Sequence, residues 1–268
     1  TATTEIYTLS LHDALPISGP AKFERKIPQP ATPFQDVALL AFRAPAKDTQ
    51  SIAKCSPVTR CAPTAAGVEK TLDGNPETAL AFPAGAGQGN SAFTIDFEVK
   101  EPFTARSLAL TPGKAGWAGR CEVLAAGEDG QFKTVKQFKF DRSNMEIHVG
   151  FMPRGPVVVS FPATTAKQFR LAFTHVGGQA ALAEIELSEA ARVESVIEKQ
   201  LAKMHPTPLP MWDTYLWPTQ AEPEAPELTI PTNGVINLTG RLLANDVLRW
   251  EVPPGDWIIL RTGMTPTG

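Results

Sequence analysis

From Leu72 to Thr78 the chain reads Leu-Asp-Gly-Asn-Pro-Glu-Thr, a run whose residue types suit the holding of a hard cation. Asp73, Gly74 and Asn75 force a tight turn and leave carbonyl and carboxylate oxygens pointing inward. Oxygens grouped in this way are what Ca2+ takes as ligands. The same residues also make an ordinary Asx turn, in which the Asp73 side chain closes the loop on its own backbone. Further on, Glu184 and Glu186 stand two apart in Leu-Ala-Glu-Ile-Glu-Leu. On a strand they share a face, as an acid/base pair would, and a merely solvated face explains the same spacing. Trp117 lies in the glycine-rich stretch 113–119. It could be a platform for a sugar ring, or it could fold over the edge of a core.

Other chemistries find no support. His12, His148, His175 and His205 are scattered without ligand spacing, and Cys55, Cys61 and Cys121 form neither a disulfide framework nor a zinc site. There is no Gly-x-Ser-x-Gly setting for a nucleophilic serine and no phosphate-cradling glycine loop. A formal charge of −3 over 268 residues argues against a nucleic-acid partner. No apolar run approaches the ~20 residues that cross a bilayer, so no membrane partner is expected. Asn237-Leu238-Thr239 matches the short N-glycosylation pattern.

The elements that would position these residues are mainly β. Pro 25 and Gly 20 suit a turn-rich chain. Residues 1–18 lack both signal-peptide logic and any periodicity, and they match the translation of a widely used sequencing adapter; they are set aside as non-native. Residues 19–49 begin as a Pro-rich connector and continue into a dense apolar run, Val37–Phe42, that reads as a strand buried on both faces. Residues 50–190 hold six to eight short strands with turn signals between them, beginning with alternating Phe93, Ile95, Phe97 and Val99. This pattern predicts an antiparallel β-sandwich of the jelly-roll type. Residues 191–227 read as one short amphipathic helix, built on Val193, Val196, Ile197, Leu201 and Met204, followed by a Pro-rich linker. Residues 228–268 return to strands, with Pro253-Pro254-Gly255 expected to turn the chain between the last two.

Two resemblances add to this reading. LDGNPETA, AGEDGQFKTVKQF, TTAKQFRLAF and LAEIEL resemble successive landmarks of the discoidin-like, galactose-binding-like β-sandwich. That resemblance implies a structural Ca2+ between the Asp-Gly-Asn loop and the closing strand, with Asp73, Asn75 and Thr78 near Glu184. The run INLTGRLLANDVLRWEVPPGDWIILRTGMTPTG is similar to a passage of glycoside hydrolase family 106, the α-L-rhamnosidase type, with Met264 where an aromatic is expected. PQPATPFQDVALLAFRAP resembles that family's exit from the first part of its barrel.

Membership would make the chain an internal fragment of a secreted or periplasmic enzyme acting on plant polysaccharide, by inverting, two-carboxylate hydrolysis. Residues 19–49 would leave, and residues 228–268 would rejoin, an incomplete catalytic domain. The catalytic carboxylates would then lie beyond Gly268, and no catalytic residue is carried over. Arg261, at the end of a strand, could bind a sugar hydroxyl or carboxylate, as could an ion pair under the turn occupy it. Arg261 and Trp117 are thus the candidate substrate contacts, and no cofactor besides Ca2+ is expected. The alternative is a free-standing carbohydrate-binding or adhesion module without catalysis. A related hydrolase with another sugar specificity fits the same residues.

Overall fold

A computed structural model of the chain describes residues 4–7, 15–27, 34–45, 49–143, 154–195, 220 and 228–266. Its strands, in chain order, are β1 (Thr4–Tyr7), β2 (Leu15–Lys26), β3 (Gln35–Arg43), β4 (Val58–Ala62), β5 (Leu80–Ala81), β6 (Phe93–Pro112), β7 (Trp117–Ala126), β8 (Phe132–Asp141), β9 (Val157–Gly178), β10 (Ala181–Ser188), β11 (Ile236–Asn237) and β12 (Val247–Pro266). They fall into two compact units. One comprises residues 49–199 and 203–224; the other comprises residues 1–48, 200–202 and 225–268.

In the larger unit, Phe93, Ile95, Phe97 and Val99 turn inward at every second residue, as the alternation predicts. β6 then continues past Pro102 without ending. Residues 93–98 pair with 168–173 of β9, and residues 103–110 pair with 157–166 after a register break. Where the sequence reads as short strands, β6 and β9 are therefore two long ones. The antiparallel order is β5-β10-β6-β9-β7-β8, with β4 also on β6. The expected antiparallel β-sandwich is what the chain builds. Its core is aromatic, with Phe93, Phe97, Trp117, Phe140, Phe169 and Phe173 all fully buried. Each such ring contributes on the order of 1.5–3 kcal/mol by leaving water.

The smaller unit is organised by β12. It pairs with β2 along Val247–Ile259, with β3 along Trp257–Met264 and with β1 along Gly263–Pro266. Two expectations are corrected here. Pro253-Pro254-Gly255 is not a turn between two strands but a bulge inside one. Val252 pairs with Ala21 and Gly255 with Gly19, so Pro253 and Pro254 stand opposite Pro20 alone. Prolines have no N–H to give a ladder, and a bulge is where a strand tolerates them.

The bulge also shifts the inward parity. Leu248, Trp250 and Val252 face the core before it, and Trp257, Ile259 and Arg261 after it. Gly255 supplies the left-handed φ of 103° that this requires. The second correction concerns Val37–Phe42. It lies on β3, antiparallel to β12, with Leu39 and Ala41 buried and Val37 exposed, so it is buried on one face only.

β2 runs unbroken across residues 15–26, so Leu15–Ser18 pair with Asp256–Ile259 in the same ladder as the residues that follow. The expected amphipathic helix over 193–204 and the linker after it lie mostly outside the described residues. Among the described residues no helix is long and apolar enough to cross a membrane.

Candidate functional site

The Asp-Gly-Asn loop follows a single 3-10 turn, Val68–Leu72, and closes on itself through side chains. Asp73 Oδ1 accepts the Asn75 N–H at 2.8 Å, and Asp73 Oδ2 accepts the Thr78 hydroxyl at 2.8 Å. Asn75 Oδ1 accepts the Glu77 N–H at 3.1 Å, and the Thr78 N–H donates to the Asn75 carbonyl at 3.1 Å. Gly74, at φ 74°, sits in the left-handed region with open space where a side chain would be. The Asx turn is real.

The question is whether the loop does more than turn. β10 brings Glu184 to it from more than a hundred residues away, directly after a register shift at Leu182/Glu184. Glu184 and Asp73 line one cavity of about 590 Å3. Burial pushes the Glu184 carboxyl up to about 7, the Asp73 carboxylate beside it adds to the rise, and the Asn75 and Gly74 N–H groups partly oppose it. Asp73 moves the other way, held low by the Thr78 hydroxyl and the Asn75 N–H. Glu184 Oε1 is buried with no hydrogen-bond partner. A buried acceptor without a donor costs about 1–3 kcal/mol unless something positive meets it.

Two facing carboxylates, one with an oxygen that no donor reaches, fit a divalent cation. Among the described residues no group of three His, Cys, Asp or Glu side chains converges, so amide, hydroxyl and carbonyl oxygens would complete such a shell.

The second carboxylate of the strand does not join this pair. Glu186 shares the face and the cavity with Glu184, but it is ion-paired to Arg192 Nη2. With one carboxyl engaged by an arginine and the other by the loop, the two have distinct structural partners.

Trp117 is corrected as a sugar platform. It opens β7, is 0% exposed, stacks on Phe140 at 4.0 Å and donates its indole N–H to the Ala181 carbonyl at 2.9 Å. It presents no ring face to solvent. A glycine-rich approach suggested an exposed loop, yet those glycines allow close packing instead: a Cβ at Gly113 would stand 2.7 Å from that of Ala181, and one at Gly116 would stand 2.9 Å from the Arg142 carbonyl.

Arg261 is likewise an internal group. It is 3% exposed, and its Nε and Nη2 reach Asp36 at 2.6 and 2.7 Å. Nη2 also reaches Asp246 at 2.6 Å, and Nη1 donates to the Ile27 carbonyl at 2.7 Å. Asp36 is the main cause holding the guanidinium above its usual range. All three nitrogens are engaged, so the ion pair, not the sugar clamp, describes this residue. Sequence reasoning passed over both carboxylates. Asp246 was marked only by the Asn245-Asp246 turn pair, which the structure places at φ 63°.

The family model described as alpha-L-rhamnosidase, glycoside hydrolase family 106, matches residues 11–268. The rhamnosidase from Novosphingobium sp. PP1Y is similar in fold, at 15% identity and a TM-score of 0.54, over 98% of this chain and 24% of that one. A family 32 carbohydrate-binding module from C. perfringens NanJ, solved with galactose, aligns at 18% identity over 53% of this chain and all of that module, with a TM-score of 0.42. A curated "Putative beta-glucuronidase" of Formosa agariphila is 50% identical over 42 residues, which is 16% of this chain and 4% of that protein. The chain thus spans a small part of the length of each larger relative.

Proposed function

Because the chain belongs to glycoside hydrolase family 106, we propose that it is an internal part of an α-L-rhamnosidase that acts on plant polysaccharide outside the cytoplasm. The observation that carries this reading is the family match through residues 11–268, which runs across both units and not the sandwich alone. A free-standing binding module would need only the sandwich, so the flanking unit favours the enzyme. The chain covers 24% of the similar rhamnosidase, which leaves room for a catalytic barrel and its carboxylates elsewhere in the parent.

In that parent, hydrolysis is inverting: one carboxylic acid protonates the leaving oxygen while a second carboxylate activates water. Within this chain the sandwich and the β12 unit are structural, and the chain alone is inactive. Asp73 and Glu184, with oxygens of Asn75 and Thr78, hold a Ca2+ that ties the loop to the closing strand. The orphaned Glu184 Oε1 and the opposed shifts of the two carboxyls support that role. When bound, the ion supplies charge compensation and no chemistry.

The test is an assay on an aryl α-L-rhamnoside of this chain and of the protein from the complete open reading frame. Turnover by the longer protein alone is expected. Turnover by this chain that disappears in Glu184→Gln or Glu186→Gln would sink the reading.

A further inference from the structure

The outer face of β7, β8 and β9 forms an open groove of about 660 Å3. Its register sets two cross-strand rows. Arg120 on β7 stands opposite Lys139 on β8 and Thr174 on β9, and Glu122 stands opposite Gln137 and Ala172. Like charges directly opposite each other destabilise a strand pair, so the Arg120–Lys139 row works against the fold.

Ionic groups on this face are otherwise matched. Lys139 reaches Asp141 at 2.6 Å, Arg170 grips Asp96 at 2.6 and 2.7 Å, and Arg60 meets Glu98 at 3.0 Å. Glu122 accepts from the Gln137 amide at 3.0 Å and from the Thr134 hydroxyl. Arg120 is exposed, and among the described residues its guanidinium has neither a hydrogen bond nor an ion pair.

The backbone beside it is also distorted. The β7–β9 register shifts between Ala118 and Arg120, so Gly119 faces an extra residue of β9. His175 takes a left-handed φ of 53° there and lines the groove beside Thr174. A non-glycine residue held at positive φ is strained, and bulges often re-aim side chains at sites. The floor between these groups is small, made by Gly119 and Ala172.

We propose that this groove binds an acidic saccharide, with the ligand's carboxylate on the Arg120 guanidinium. A planar guanidinium matches a carboxylate through two parallel hydrogen bonds, which a sugar hydroxyl cannot provide. Thr174, Gln137 and the second oxygen of Glu122 lie within the same rows to meet hydroxyls of the ring. The saccharide character of the ligand rests on the glycoside hydrolase reading above; the requirement for negative charge rests on Arg120.

Affinity electrophoresis of the full chain tests this, with polygalacturonate, its fully methyl-esterified form or dextran sulfate in the gel. Retardation by polygalacturonate alone is expected. Arg120→Gln weakens it by about tenfold, as the loss of a charge-assisted pair implies. Lys133→Gln, which removes an exposed cation outside the groove, leaves it unchanged. Arg120→Gln also melts no lower than the parent chain, because it relieves the Arg120–Lys139 opposition. The proposal is overturned if polygalacturonate fails to retard the chain, if the esterified or sulfated polymer retards it equally, or if Lys133→Gln weakens binding as much as Arg120→Gln. None of these results bears on rhamnoside hydrolysis by the longer protein, so the two readings fail separately.

Discussion

Arg261 and Asp36 form a two-pronged ion pair, at 2.6 and 2.7 Å, that joins the two central strands of the smaller unit from positions 225 residues apart. The guanidinium is buried and holds a second carboxylate, Asp246, from the turn that precedes its own strand. Removing one partner of a buried pair leaves the other uncompensated, at about 3–5 kcal/mol. Arg261→Met should therefore destabilise the smaller unit by a few kcal/mol, on the order of that range, and Asp36→Asn by less, because Arg261 keeps Asp246. The double variant should cost less than the two singles together, because the Asp36 charge that Arg261→Met strands is then absent. Urea denaturation followed by Trp250 and Trp257 fluorescence measures this, and additive singles would show that the pair is not coupled.

Trp117 should behave as a core residue. Trp117→Phe keeps most of the stacking on Phe140 and removes one of two donors to the Ala181 carbonyl, which retains the Gly113 N–H, at about 0.5–1.5 kcal/mol. Trp117→Ala should cost about 3–5 kcal/mol. Oligosaccharides should leave the emission of Trp117 unchanged. A sugar-dependent quench lost in Trp117→Phe would return the residue to the surface.

Glu184 links stability to pH and to calcium. Its carboxyl titrates at about 7 in the folded chain, against an ordinary value of 4.5. The folded state therefore holds this proton more tightly than the unfolded state does. Its contribution is complete below the ordinary value and is lost as pH rises through about 7. In the presence of chelator, the melting temperature should fall between pH 5 and pH 8. Calcium should restore it at pH 8 and do little at pH 5, where the proton competes. Glu184→Gln should flatten both responses. Melting curves identical with calcium and with chelator at pH 8 would remove the metal from the site.

Gly255 should resist substitution for two separate reasons. Its φ of 103° strains any L side chain, and a Cβ there would stand 2.1 Å from Arg43 Nη1. Arg43 lies over the Trp257 ring at 4.9 Å, so Gly255→Ala should displace that contact as well. A loss of about 1–3 kcal/mol is expected. Its ladder partner Gly19 is tighter still, with a Cβ 2.0 Å from the Pro253 carbonyl, so Gly19→Ala should unfold the smaller unit outright in thermal melts.

Much of the sandwich was legible in local pattern. Alternation at Phe93–Val99 and the strand that carries Glu184 and Glu186 need only nearest neighbours along the chain, and each stands where it was expected. The Asx geometry of Asp73–Thr78 is local for the same reason, since every bond that closes it spans five residues or fewer.

What alternation and turn residues could not contain is whatever depends on a distant partner. Pro253-Pro254-Gly255 looks like a hairpin turn until β2 supplies Gly19 and Ala21 on either side of it, which makes it a bulge and reverses the inward parity of β12. Trp117 fits a sugar platform or a core edge equally until Ala181 accepts its N–H and Phe140 covers its ring. Residue types and their order along the chain sufficed for the family and for the β character. Which side chains are buried, paired or left free was decided only in three dimensions, because burial and charge pairing are properties of contacts between strands that lie far apart in sequence.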